Sequence, residues 1–312
     1  MVIRRYTPAD KELWDDFVEQ SRCGTFLFKR DYMDYHSDRF ADCSLMAFNR
    51  HGRLTAMLPA EIRGTTISSH SGLTYGGWIT PVRHFNGTTM TEVFDAALPA
   101  MRGLGAHELT YKPLPHIYQK IPAEEDLYSL FRLGARQTDC VLSSAIDLRH
   151  PAPVDENKRY AVRFAASSGV TVNEGEDFTG FWKMLEDCLA TRHNAAPVHT
   201  LSEITHLKSC FPDNIRLYIA FREVLPVAGA VIYFCDRVAR VQYMASNDAG
   251  RKAQAPSALI HHLHEACREK YDYIDMGGSN EPVTGELDNG LLRFKSELGA
   301  RGIAFPTYSI AL

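Results

Sequence analysis

The chain has 312 residues, 45% of them apolar, 23% charged and 11% aromatic, a composition that excludes disordered, collagen-like and coiled-coil classes. Its 34 Lys and Arg against 38 Asp and Glu leave a net charge of −4, which excludes a chain-wide basic surface drawing in a nucleic-acid backbone. At this length one large domain and two of about 150 residues are both open. The seven cysteines are scattered and never spaced Cys-x-x-Cys, a pattern of free thiols in a reducing cytosol. Met1-Val2-Ile3-Arg4-Arg5 lacks the apolar core of a signal peptide, and no run approaches the length of about 18 apolar residues that a membrane span needs. The expected location is cytoplasmic.

In chain order, 44–48 and 54–60 read as strands across a turn, 73–75 as a further strand, and 90–104 as an amphipathic helix. Leu133-Gly134-Ala135-Arg136 ends a helix, and Pro151 and Pro153 mark a connection. The boundary is placed there, giving domains 1–150 and 151–312. In the second, 177–191 carries Phe181, Trp182, Leu185, Cys188 and Leu189 at helical spacing, and 202–210 is a shorter helix. The runs 215–222, 227–235 and 239–245 are β-branched and aromatic. A helix over 257–270 follows Pro256 and is capped by Ser257; 273–276 is a strand ended by Gly277-Gly278. A helix over 287–298 stops at Gly299, and 303–310 closes as a strand. The order β-β-β-α-β-α-β requires a mixed sheet, with the third meander strand and 273–276 parallel through a crossover helix. The halves also match in order. Ser44-Leu45-Met46-Ala47-Phe48 pairs with Leu217-Tyr218-Ile219-Ala220-Phe221, Leu73-Thr74-Tyr75 with Val241-Gln242-Tyr243, and Leu133-Gly134-Ala135-Arg136 with Leu298-Gly299-Ala300-Arg301, at a nearly constant offset. Two copies of one fold are expected.

Three segments of the second half carry a family resemblance: Gln242-Tyr243-Met244-Ala245-Ser246, Asp275-Met276-Gly277-Gly278-Ser279-Asn280, and Asn289-Gly290-Leu291-Leu292-Arg293-Phe294-Lys295-Ser296-Glu297-Leu298-Gly299. Together with the strand order they resemble the GNAT acyltransferase superfamily, and the tandem arrangement resembles its Fem-type branch, which includes peptidoglycan-bridge aminoacyltransferases. The last segment is similar to the family's Asn-Gly-Leu…Phe-Lys-x-x-Phe-Gly signature, with Leu298 in place of an aromatic residue. The resemblance implies an α/β fold class, a mixed sheet in a tandem duplicated GNAT fold. It also implies acyl-CoA as donor, held where two parallel strands splay apart and leave backbone groups unpaired. Those strands would be 240–246 and 273–277. Gln242, Tyr243, Met244, Ala245 and Phe294 would lie along the donor, and the N–H of Met244 or Ala245 would meet the oxyanion. Ordinary members cradle the donor's pyrophosphate in an Arg/Gln-x-x-Gly-x-Gly/Ala loop. Here 247–257 lacks the second glycine and Pro256 removes one donor N–H, so Arg251 and Lys252 are expected to meet the phosphates as charges.

For catalysis, the resemblance assigns Lys295, four residues before Gly299, to stabilising negative charge on the carbonyl oxygen or the leaving group. The first half has Leu130 at the equivalent place, so chemistry is expected in the second alone. Arg192-His193-Asn194-Ala195-Ala196-Pro197-Val198-His199-Thr200-Leu201-Ser202-Glu203 resembles the branch's Arg-His…Pro…His…Glu stretch beside the acceptor groove, and His199, as an imidazole, is the expected base; Asp275 is the alternative base. Plainer readings stand beside these: Gln242 and Tyr243 as ordinary strand residues, Arg251 and Lys252 as a solvated turn, Lys295 as an exposed lysine complementing a helix dipole, and His199 as a residue opening a helix. His261, His264 and Glu265 share a helix face at metal-like spacing without a distant third ligand, so no metal is expected. The stretch 68–77 lacks Gly-x-Ser-x-Gly and is no hydrolase loop. The expected partners are a small acyl donor and an amine acceptor. Neither half is basic, which leaves an aminoacyl-tRNA donor as a second reading and a non-catalytic binding protein of the same fold as a third.

Overall fold

The computed structural model describes residues 1–193, 195–281 and 284–312, the side chains of Arg192 and His193 excepted. The chain divides into two units, Met1–Val141 with Ala304–Leu312, and Leu142–Ile303. The first unit contains β1 (Val2–Arg5), α1 (Lys11–Gln20), α2 (Arg30–Met33), β2 (Leu45–Phe48), β3 (Leu54–Leu58), β4 (Glu61–Arg63), β5 (Thr66–Ser68), α3 (Gly87–Gly103), β6 (Glu108–Tyr111) and α4 (Glu125–Arg132). The strands β1, β2 and β3 make an antiparallel sheet. Asn86 caps α3 by accepting the N–H of Thr89 at 3.1 Å. At helical spacing, α3 buries Met90, Val93, Phe94, Ala97 and Met101 in one core with Leu45, Ala47, Ala56, Leu58 and Leu109. The stretch 73–75 is not the expected strand; that strand is reduced to a bridge between Ile79 and Met57. Its backbone is drawn aside because Gly76 lies against Ser69, whose carbonyl oxygen stands 1.8 Å from where a Cβ would be.

After β7 (Arg136–Asp147), which begins in the first unit and enters the second at Leu142, the second unit runs through α5 (Glu156–Ser167), β8 (Val170–Gly175), α6 (Thr179–His193), α7 (Leu201–Cys210), β9 (Ile215–Arg222), β10 (Leu225–Phe234), β11 (Val238–Ser246), α8 (Asp248–Lys252), α9 (Ala255–Cys267), β12 (Tyr273–Gly278) and α10 (Asn289–Glu297). The chain then enters β13 (Arg301–Ala311), which ends in the first unit antiparallel to β6. Pro151 and Pro153, which mark the division in the sequence, sit in the connection between β7 and α5, inside the second unit. The strand order is β7-β12-β11-β10-β9-β8, and β11 and β12 are the parallel pair, joined through α9. Alternation along β10 sends Ala228, Ala230 and Ile232 into a core with Leu259, Ile260 and Leu263 of α9. On the opposite face Gly229 admits the ring of Phe181 from α6, 2.5 Å from a would-be Cβ. The entrance to α9 differs from expectation. Gln254 takes φ +58° and Pro256 falls in the first turn, so Ser257 is buried within the helix and does not cap it.

Candidate active site

The parallel strands pair at Val238 with Tyr273, Ala239 with Ile274 and Arg240 with Asp275, although β11 continues to Ser246 and β12 to Gly278. Both strands bend where pairing stops. Tyr243 opposes Val231 on β10 while Val241 opposes the next residue, Ile232, which leaves Gln242 as the extra residue of a β-bulge that turns the strand. On β12 Gly277 takes φ +75°, a left-handed conformation that glycine adopts without strain. The bulge also resets the alternation of β11. Ala239 and Val241 belong to the α9-side core, whereas Tyr243, beyond the bulge, meets Trp182 of α6 with ring centroids 5.2 Å apart.

On that α6 side, Tyr243 meets His199. Thr200 caps α7, its Oγ1 accepting the N–H of Glu203 at 3.2 Å while the Glu203 carboxylate accepts the N–H of Thr200 at 2.7 Å. The capping box leaves the imidazole of His199 out of helix initiation. His199 is 4% exposed, and its backbone N–H donates to Tyr243 Oη at 3.3 Å. Its Nδ1 is hydrogen-bonded to the same oxygen, a geometry satisfied when the hydroxyl donates to Nδ1. Trp182 Nε1, buried beside this pair, has no hydrogen-bond partner among the described residues. Of the stretch leading to His199, Asn194 and the side chains of Arg192 and His193 lie outside the described residues.

Across the gap, β12 and α10 bring buried charges together. Asp275 is fully buried; its carboxylate accepts from Ser143 Oγ at 2.6 Å, the N–H of Gly277 at 2.9 Å and Arg240 Nη1 at 2.5 Å. Arg240 also donates from Nε to Gln242 Oε1 at 3.2 Å, tying the bulge to the ion pair. Lys295 is the buried side chain of α10. Its Nζ donates to the carbonyls of Gly277 and Gly278, each at 2.7 Å, and to Ser279 Oγ at 3.1 Å, using all three ammonium hydrogens. Burial pushes the Lys295 ammonium down to about 8, against the opposing pull of Asp275. Phe294 packs on the α9-side core with Lys158 Nζ 4.6 Å from its ring centroid.

At the far end of β11, Ser246, Asn247, Asp248 and Arg251 line a cleft of about 390 Å³ with Lys183 of α6. Gly250 lets α8 seat on β10, since a Cβ there would lie 2.1 Å from the carbonyl oxygen of Val227. The Arg251 guanidinium bonds the Ser246 carbonyl and the Asp248 carboxylate, and Lys252 is exposed. The structure therefore gathers Gln242, Tyr243, Met244, Ala245 and His199 along one strand, sets Asp275 and Lys295 at the other, and leaves Arg251 and Lys252 at the strand's end. Among the described residues no three His, Cys, Asp or Glu side chains are grouped to hold a metal ion; His264 pairs with Glu265 at 3.2 Å. Nor is any described helix long and apolar enough to cross a membrane. Sequence reading missed Arg240, Ser143, Ser279 and Trp182. Arg240 alone carried a signal, as a charge inside an otherwise apolar strand.

Residues 155–295 match the family model of an acetyltransferase (GNAT) domain. No curated protein matches the sequence. Among solved structures, FemX is similar over 100% of this chain and 98% of its own, with a TM-score of 0.72 at 13% identity. L-PGS from Bacillus licheniformis is similar over 97% and 91%, with a TM-score of 0.63 at 13% identity. A tandem GNAT protein from the clavulanic acid biosynthesis pathway is similar over 99% and 98%, with a TM-score of 0.56 at 13% identity.

Proposed function

From an acyltransferase domain of the GNAT type at 155–295, within a tandem GNAT fold, we propose that this protein transfers an acyl group from acyl-CoA to the amine of a small acceptor at the gap between β11 and β12. The observation that carries the reading is the gap itself: pairing ends at Arg240 with Asp275 while both strands run on. An extended pantetheine-like arm fits such a slot because it can take over the unsatisfied backbone hydrogen bonds. The thioester carbonyl would then sit beside Met244 and Ala245, and whichever of the two N–H groups faces the gap polarises it. The acceptor nitrogen attacks, a C–N bond forms, the C–S bond breaks, and the thiolate leaves.

Tyr243 and His199 form the proton path: the hydroxyl receives the proton lost by the amine as its own passes to Nδ1 of His199. Lys295 and Asp275 act as positioning residues. Lys295 fixes the two glycine carbonyls where β12 turns away, and its positive charge favours the anion that develops in the gap. Asp275, held by three donors including an arginine, anchors that turn and does not serve as base. In the cleft at the end of β11 the donor's phosphates would meet Arg251 and Lys183, displacing their aspartate partners Asp248 and Asp187, with Lys252 exposed nearby.

Thermal unfolding with acetyl-CoA and longer acyl-CoA donors tests the reading. A rise in melting temperature that saturates with donor concentration is expected. No rise with any acyl-CoA sinks the acyl-CoA reading, and binding of aminoacyl-tRNA with a steep salt dependence in its place identifies the other donor.

A further inference from the structure

A second cleft of the same unit, about 370 Å³, lies between α5, α9 and the end of α10, on the face of the sheet opposite to His199 and Tyr243. Its floor is aliphatic, made by Ile146, Ile260 and Leu298; its rim carries Arg159 and Arg163 of α5 opposite His261, His264 and Glu265 of α9. Arg159 and Arg163 are four apart and share one helix face. The charges around them are already matched: Lys158 pairs with Glu297 at 3.4 Å, and Glu265 is held by His264 at 3.2 Å and Arg268 at 3.1 Å. Among the described residues neither Arg159 nor Arg163 makes a side-chain hydrogen bond or ion pair. Two unpaired guanidinium forks above an aliphatic floor match an anionic head on a hydrocarbon chain. The floor offers no aromatic ring on which a nucleobase could stack, and the volume falls within the range of about 300–1,000 Å³ typical of small-molecule sites.

We propose that this cleft binds a single-chain aliphatic anion, with its carboxylate or phosphate monoester on Arg159 and Arg163 and its chain on Ile146, Ile260 and Leu298. The site is separate from the acyl-transfer gap, and the inference does not depend on that reading.

Calorimetric titration of the full chain with decanoate, decyl phosphate, decanol, acetate and inorganic phosphate, below micellar concentrations, tests it. Decanoate or decyl phosphate should bind at least tenfold more tightly than decanol, acetate and inorganic phosphate. The tighter of the two amphiphiles identifies the head group as carboxylate or phosphate monoester. The double substitution Arg159→Glu/Arg163→Glu should weaken binding at least tenfold. Val162→Trp, which fills the cleft from half-buried α5 and leaves both arginines in place, should do the same. Failure of both amphiphiles to bind overturns the proposal, as does decanol binding as tightly as they do, or affinity that survives both variants.

Discussion

The ammonium of Lys295 donates to the carbonyl of Gly277 at 2.7 Å, and Gly277, at φ +75°, is where β12 turns away from its parallel partner. A lysine head removed from water is stable as a cation only when its hydrogens find acceptors, and this one finds Gly277, Gly278 and Ser279. The helix α10 is thereby fastened to the strand end that opens the gap.

Replacing Lys295 by Met should therefore lower kcat by about 100-fold, the scale of losing one preorganised electrostatic contact, with the acyl-CoA KM less affected. The wild-type rate should fall as pH rises above about 8, where the buried ammonium loses its proton. A wild-type rate that keeps rising through pH 9.5, as the acceptor amine deprotonates, refutes the role. Stability has the opposite sign. The folded-state value lies below the unfolded one, so between about 8 and 10.5 the unfolded chain binds more protons and the folded state gains stability as pH rises. In Lys295→Met that slope should vanish from urea unfolding.

The helix at 177–191 and the strands at 215–222, 227–235 and 239–245 were legible because helical spacing and β-branched, aromatic runs depend on local chemistry alone, whereas α5, β8 and α8 drew no assignment. What the sequence hid were consequences of bending. The bulge at Gln242 leaves the apolar pattern of β11 undisturbed, so nothing along the chain announces that Tyr243 changes faces and meets Trp182 and His199. The sequence singled out Lys295 but not its burial. On α10 the lysine is buried while Leu291 is 37% exposed, an inversion that only the two glycine carbonyls and Ser279 explain. In the first unit, the match of 73–75 to a strand rested on apolar likeness and overlooked the close backbone approach that Gly76 permits.

The pair of Arg240 with Asp275 should behave as a buried ion pair. Arg240→Met leaves the fully buried carboxylate without its cation and should destabilise the protein by about 3–5 kcal/mol. Asp275→Asn retains acceptors for Ser143 and the Gly277 N–H and should cost less. Urea unfolding of both variants decides it; an Asp275→Asn loss larger than that of Arg240→Met contradicts the assignment.

The first unit should have a histidine-dependent acid limit. His70 is buried against His36, with ring centroids 5.2 Å apart, and burial pushes it down to about 3. Because the unfolded value is near 6.5, the unfolded chain takes up a proton that the folded chain refuses, and stability is lost as pH falls from about 6.5 towards 3. Asn tolerates the φ of +69° at this position. His70→Asn should therefore lose less stability on acidification, by up to about 1.4 kcal/mol per pH unit below 6. Parallel stability curves for the two proteins rule this out. Asp126, which burial raises to about 6, contributes equally to both and cancels in the comparison.

Tyr243 and His199 should act as one proton path and not as two independent groups. Tyr243→Phe removes the hydroxyl that bonds Nδ1, and His199→Gln removes the imidazole behind it; each should lower kcat by about 100-fold, a typical share for acid–base catalysis. Because either loss interrupts the same transfer, the double variant should be little slower than either single one, a coupling as large as one of the single effects. KM for the donor should change little, since neither group meets the phosphates. Multiplicative losses in the double variant would show two separate contributions and dissolve the relay. A full rate in Tyr243→Phe would restrict Tyr243 to packing against Trp182.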